Sequence, residues 1–287
     1  MTRRRSYRDA AVLVTGGGSG IGRALGHELA QAGARVILAD IDHDAASDAA
    51  GRINASGDHP EATGSALDVR DAEAFRAAVD SIIEATGGID VVINNAGISM
   101  GGPTHHLSSA HWDRIIDVNL KGVVNGVLAA YPRMVEQGHG QIVNTASGAG
   151  LVAPPYVVAY AATKHAVVGL SMGLRPEAAR HGVRVSALCP GSVETPILDR
   201  PPDADLPSAD TPPVTARDYA RVLGFTPMPV ELLAHRAVRA MARDRALIVE
   251  PHAARMLWRL HRASPRLGQL VLRRVARTID LELLRGR

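Results

Sequence analysis

Short runs rich in β-branched residues alternate along this chain with longer stretches of 3.6-residue apolar spacing, and that alternation constrains the fold more than any other feature. The runs are AAVLVTG, RVILAD, GSALDV, DVVINNAG, GQIVNTAS, RVSALCPG and ALIVEP. Near-continuous apolar runs suit parallel strands covered on both faces, and each intervening stretch supplies the crossover helix that a parallel pair requires. Strand followed by helix, repeated six times, winds right-handedly onto both faces of one sheet. The predicted fold is therefore α/β, a doubly wound parallel sheet of about seven strands in a single domain over residues 8–250, with a helical extension at 251–287.

Two regions break the alternation. Residues 190–229 hold nine of the seventeen prolines and no clear strand, while 251–287 is rich in arginine. The chain of 287 residues, 46% hydrophobic and 21% charged, is long enough for a sizeable core. Its single cysteine, Cys189, excludes an internal disulfide framework and points to a reducing, cytoplasmic setting. The twelve histidines form no HExxH pattern, and His105, His106 and His111 sit in a polar stretch, so no metal is expected. No apolar run reaches the roughly 18 to 20 residues of a spanning helix. Nine arginines in 251–287 face only Asp280 and Glu282, and residues 1–9 carry four arginines and Asp9. The remaining 10–250 then hold 19 basic and 26 acidic residues, an acidic body that argues against nucleic acid.

The first strand runs into Thr15, Gly16, Gly17, Gly18, Ser19, Gly20, Ile21 and Gly22, after which a helix begins. Glycines at such a junction let the backbone approach a pyrophosphate, and the helix start offers free N–H groups and a positive dipole end. This is the Rossmann-like arrangement for a dinucleotide. Asp40 ends the second strand eighteen residues past Gly22. Its carboxylate suits adenosine ribose hydroxyls and repels a 2′-phosphate, favouring NAD over NADP; otherwise it merely opens the next helix.

These residues resemble the classical short-chain dehydrogenase/reductase family over about residues 8–200. TGGGSGIG fits its TGxxxGxG spacing and differs from the TGxxGxxG of extended, epimerase-like relatives. Asn94, Asn95, Ala96 and Gly97 match NNAG after the fourth strand. Asn119, Ser147, Tyr160 and Lys164 match the family's Asn-Ser-Tyr-Lys tetrad, with Ser147 thirteen residues before Tyr160. Pro190, Gly191 and Thr195 match the PGxxxT segment beside the nicotinamide, with Val193 inside it, and Asp68 with Val69 matches the pair that contacts adenine. The resemblance implies hydride transfer between NAD and a secondary alcohol or ketone, and a homo-oligomer, dimer or tetramer. A non-catalytic NAD-binding sensor or scaffold is the alternative, though no tetrad member is missing.

Of the 32 basic residues only Lys121 and Lys164 are lysines. A phenol with an ordinary pKa of about 10 is a weak acid for neutral pH. Lys164, one helical turn after Tyr160, projects onto the same face, where its cation together with an oxidised nicotinamide would favour the phenolate. The resemblance also gives Lys164 the nicotinamide ribose hydroxyls, Ser147 the substrate oxygen, and Asn119 a water behind Lys164. Tyr156 lacks a lysine four residues on and reads as a pocket wall. His165 points away, Thr145 shares Ser147's strand face, and Lys121 reads as a surface charge.

Unlike many family members, the chain continues after its seventh strand directly into ALIVEPHAARMLWRL, which leaves the oligomer geometry open. The proline-rich 190–229 segment is where such folds carry a substrate lid. Candidate pocket walls are Ile98, Ser99 and Met100, then Leu151, Val152 and Tyr156, then Val193, Ile197 and Leu198. Being mostly apolar, they suggest an apolar alcohol or ketone. In the tail, Leu267, Val271, Val275 and Ile279 recur every four residues beside Arg266, Arg273, Arg274 and Arg277. Such an amphipathic helix packs on protein or lies on an anionic membrane, and packing is the preferred expectation.

Overall fold

The computed structural model describes residues 6–57, 59–199, 215–222 and 224–284. Seven strands, β1 (Ala11–Thr15), β2 (Arg35–Asp40), β3 (Thr63–Ala66), β4 (Val91–Asn94), β5 (Gly140–Thr145), β6 (Val183–Pro190) and β7 (Leu247–Glu250), form one sheet. Its order is β3-β2-β1-β4-β5-β6-β7, with every neighbouring pair parallel. From β1 the chain winds outward to β3, then returns to the other side of β1 at β4. The loops leaving the carboxyl ends of β1 and β4 therefore diverge and open a crevice between them.

The apolar runs explain the sheet's depth. Every residue of β1, β4 and β5 is buried. The edge strand β3 departs from that expectation, because TGSA has little to bury and both its ends are exposed. On one face lie α1 (Gly20–Gln31), α2 (His43–Asn54) and α8 (Val230–Ala242), which contribute Leu25, Leu29, Ile53, Leu233 and Met241 to the core. On the other lie α3 (Ala72–Thr86), α5 (Gly122–Gln137) and α6 (Val158–Ala179), with Phe75, Val79, Met134 and Ala178. Each such large side chain, fully buried, stabilises the fold by about 1.5–3 kcal/mol.

Helix α6 is also held by polar bonds. Asn94 Nδ2 donates to Asn144 Oδ1 at 2.8 Å, and Asn144 Nδ2 donates to Ser171 Oγ at 3.0 Å, joining β4, β5 and α6 through buried groups. Such a chain is costly to break in a low-dielectric interior, so it fixes where α6 sits over the sheet.

Between β4 and α5 lies α4 (Ser109–Ile116), and in the proline-rich region lies α7 (Ala216–Val222). Residues 200–214 of the expected lid fall outside the described residues. The tail consists of α9 (His252–Ala263) and α10 (Pro265–Ile279), both folded back on the body. Trp258 packs beside Cys189 and Val249, and Val275 and Ile279 pack on Tyr219. Among the described residues no helix is long and apolar enough to cross a membrane.

Candidate active site

A cavity of about 1090 Å³ lies across the carboxyl ends of the strands. At one end the loop after β1 contributes Gly16, Ser19, Gly20 and Ile21 to its wall, and Asp40 ends β2 beside them. The loop is built around missing side chains. A Cβ on Gly22 would lie 2.1 Å from the Gly16 carbonyl oxygen, and one on Gly18 would lie 2.9 Å from Ala45 Cβ. Gly16 has φ 64°, which a side chain disfavours. Ser19 precedes α1 in extended geometry without a side-chain cap, leaving the first-turn N–H groups directed toward the cavity end of the helix. Asp40 Oδ2 accepts from the Gly18 N–H at 3.0 Å and Oδ1 from the Asp42 N–H at 3.2 Å. Asp42, not Asp40, caps α2.

Thr15, Gly18 and Gly22 lie behind this wall rather than in it. Thr15 Oγ1 accepts from the N–H groups of Asn95 and Ala96 at 3.0 and 3.1 Å, which ties the loop after β4 to β1. Asn95, Ala96 and Gly97 then line the cavity, as do Asp68 and Val69 after β3. Arg70 holds Asp68 in an ion pair at 2.6 Å, and its hydrogen bonds keep that carboxyl below its usual range. Pro190, Gly191, Val193 and Thr195 line the cavity beyond β6.

Ser147, Tyr160 and Lys164 share the same cavity. Two glycines set their spacing. A Cβ on Gly150 would lie 2.5 Å from the Lys164 carbonyl oxygen, so the turn after Ser147 presses directly on the backbone of α6. A Cβ on Gly97 would lie 3.2 Å from Asn119 Oδ1 and 3.4 Å from Lys164 Nζ, so both groups converge on that bare Cα. Lys164 Nζ donates to the Thr145 carbonyl at 2.9 Å and sits 5.7 Å from the centre of the Tyr160 ring. Asn119 lies in a π-helical turn between α4 and α5, fully buried. Its side chain grips the backbone of Ile98, accepting from the N–H at 2.8 Å and donating to the carbonyl at 2.9 Å.

Burial governs the titration here. It pushes the Tyr160 hydroxyl above its ordinary value, opposed by the hydrogen bond with Ser147. It lowers Lys164 from 10.5 to about 8 and raises the Cys189 thiol to about 12. The expected bias toward phenolate is thus not supplied by Lys164 alone, whose ammonium is turned to the Thr145 carbonyl.

The geometry corrects three of the expected pocket walls. Met100 is buried against Ile115 and Ala159, Leu151 packs beside Val123 and Val167, and Tyr156 packs with Tyr219, Val275 and Ile279. Tyr156 has φ 61°, and this turn of the backbone carries its ring under α10 instead of into the cavity. Ile98, Ser99, Val152, Val193, Ile197 and Leu198 do line it. His165 is exposed and bonds the Ala161 carbonyl, and Lys121 is exposed in an ion pair with Asp117 at 2.6 Å.

The sequence reading missed the far wall, which comes from the tail: Leu257, Leu260, His261, Val271, Leu272 and Val275. Of these only Val271 and Val275 belonged to the periodic stripe of the tail, and nothing in the order of residues indicated what that stripe covers.

Residues 10–204 match the family model described as short chain dehydrogenase. This chain belongs to the short-chain dehydrogenases. Levodione reductase of Leifsonia aquatica is 37% identical over 194 residues, covering 67% of this chain and 73% of that one. The 2-(S)-hydroxypropyl-CoM dehydrogenase 3 of Xanthobacter autotrophicus is 37% identical over 215 residues, covering 75% and 82%. A short chain dehydrogenase/reductase of Burkholderia phymatum, solved in complex with NAD, superposes with a TM-score of 0.83 at 32% identity, covering 92% of this chain and 96% of its own. The protein is a short-chain oxidoreductase that uses a nicotinamide dinucleotide. The matched segment of the family model ends before α7 and the tail, so the far wall of this dehydrogenase's cavity lies outside it.

Proposed function

We propose that this dehydrogenase transfers a hydride between NAD and an apolar secondary alcohol or ketone, with Tyr160 as the proton-transferring group. The observation that carries the reading is that Ser147, Tyr160 and Lys164 open into the same cavity as the glycine loop and Asp40. Reacting carbon, proton donor and dinucleotide cradle then share one space.

The cradle fits a dinucleotide. Gly16, Ser19, Gly20 and Ile21 at the start of α1 would hold the pyrophosphate, where N–H groups and the helix dipole favour an anion. Asp40 would take the adenosine ribose hydroxyls, and the absence of a cation at Ile41 or Ser19 to balance a 2′-phosphate supports NAD. Asp68 and Val69 would bound the adenine, and Asn95, Ala96, Gly97, Pro190, Gly191, Val193 and Thr195 the nicotinamide half. When bound, the nicotinamide accepts or gives the hydride and, oxidised, brings a positive charge.

The chain's own groups manage the proton. Ser147 hydrogen-bonds the substrate oxygen and holds it beside the Tyr160 hydroxyl, which gives or takes the proton. Burial favours the protonated form of that hydroxyl, ready to donate toward a ketone. Lys164, held by the Thr145 carbonyl, keeps a compact cation below the ring, where a guanidinium would not fit beside Gly97. Asn119 positions the Ile98 backbone and the groups behind Lys164.

The substrate half is walled by Val152, Val157, Leu198, Leu257 and Leu272, which supports an uncharged, apolar substrate. A cytoplasmic setting fits the single buried thiol of Cys189. A homo-oligomer fits the outer sides of α5 and α6, where Leu128 and Val158 are exposed and Gly169 and Gly173 face open space.

The test is a panel of secondary alcohols and ketones followed by NADH absorbance, with Tyr160→Phe in parallel. Turnover of apolar members by the native protein, and its loss in a variant that still binds NAD, is the expected result. Near-normal turnover by Tyr160→Phe would remove Tyr160 from the mechanism.

A further inference from the structure

The apolar stripe of α10 divides in the folded protein. Val275 and Ile279 are buried on the body, while Leu267 and Leu270 are 44% and 56% exposed. Helix α9 likewise leaves Met256 52% and Leu260 44% exposed. Around these lie Arg259, Arg262, Arg266, Arg273, Arg274 and Arg277, all exposed. Among the described residues none of the six has a carboxylate partner, although Arg255, turned inward, bonds Glu250 at 2.6 Å. Leu260 and Val271 belong to both surfaces: they line the cavity and are also exposed, so the cavity opens at this apolar, basic face.

We propose that the outer face of the α9–α10 pair docks on an anionic lipid surface, with the cavity mouth directed at it. Arginines without a carboxylate partner among the described residues, interleaved with exposed leucines, match both parts of such a surface, its anionic headgroups and the apolar layer beneath them. A second copy of this chain suits the face less well. A two-fold contact would bring the same patch onto itself and set arginine against arginine. Docking stands whatever the cavity's chemistry. Only the corollary, that apolar substrate arrives through the lipid, rests on the reading of the cavity given above.

The experiment is co-sedimentation of the full-length protein with vesicles of phosphatidylcholine alone and of phosphatidylcholine mixed with phosphatidylglycerol. Binding is expected to the anionic vesicles, weakening with added salt. The variant Leu270→Asp/Arg273→Glu/Arg274→Glu changes no cavity residue. Its partitioning is expected to fall by more than roughly 25-fold, taking about fivefold for each arginine, while turnover of a water-soluble alcohol and mass in solution stay unchanged. Failure of the native protein to bind anionic vesicles at low salt would overturn the proposal. So would a drop in solution mass in the variant, which would make this face a subunit contact. Loss of alcohol turnover in the native protein would count against the catalytic reading and leave the vesicle result standing.

Discussion

Lys164 is 3% exposed, and burial lowers it from 10.5 to about 8. The cost of keeping it charged inside the folded chain can be worked from that gap. Two and a half pH units at about 1.36 kcal/mol each give about 3 kcal/mol, present in full below about pH 8. Between about pH 8 and 10.5 the unfolded chain binds a proton that the folded chain has released, so stability rises with pH and the penalty disappears. Lys164→Met removes this site. It also leaves the Thr145 carbonyl without its partner at 2.9 Å, a loss of about 1–3 kcal/mol that does not depend on pH. Without dinucleotide at pH 7, the variant is therefore expected to match or exceed native stability while having no turnover. Towards pH 10 it is expected to become the less stable of the two. Urea unfolding of both proteins at a series of pH values reads the difference directly, and that difference should move by about 3 kcal/mol across the window. A difference that stays constant with pH would show that Lys164 carries no burial penalty, and the account of its charge would fail.

Three further outcomes are expected. Asp40→Ala should narrow the proposed preference for NAD over NADP by on the order of tenfold or more in kcat/KM, since it removes the carboxylate proposed to meet the ribose and frees the Gly18 and Asp42 N–H groups. Gly22→Ala sets a methyl group 2.1 Å from the Gly16 carbonyl oxygen, so NAD affinity measured by calorimetry should drop together with thermal stability. Leu257→Ala, in the tail's share of the cavity wall, should raise KM for a bulky apolar alcohol by on the order of tenfold and leave NAD affinity unchanged.

The sheet, the glycine turn and the spacing of Ser147, Tyr160 and Lys164 were legible in the chain because each depends on local order. A parallel strand needs a continuous apolar run, a pyrophosphate cradle needs bare backbone, and a lysine four residues after a tyrosine shares its helical face. What was not legible depends on long-range packing. Met100 and Tyr156 have the apolar character of pocket walls, yet Ile115 and Ala159 cover the first and α10 covers the second. Gly97 was legible only as part of the NNAG motif and Gly150 not at all, because their contacts arise only once Asn119 and α6 are brought against them. The periodicity of 265–279 predicted an amphipathic helix, but one side of it proved to meet the body and the cavity while leucines and arginines remained outside. Burial of Tyr160 likewise outweighs its hydrogen bond with Ser147, a balance that depends on the depth of the site.

Hydride transfer can be followed atom by atom with a secondary alcohol carrying deuterium on its carbinol carbon, incubated with NAD and the native protein. Mass spectrometry of the reduced nucleotide should find that deuterium on the nicotinamide ring, and Tyr160→Phe should leave the nucleotide bound and unlabelled. Deuterium recovered in the solvent instead, or labelled nucleotide formed at native rates by Tyr160→Phe, would contradict a hydride transfer that depends on the proton of Tyr160.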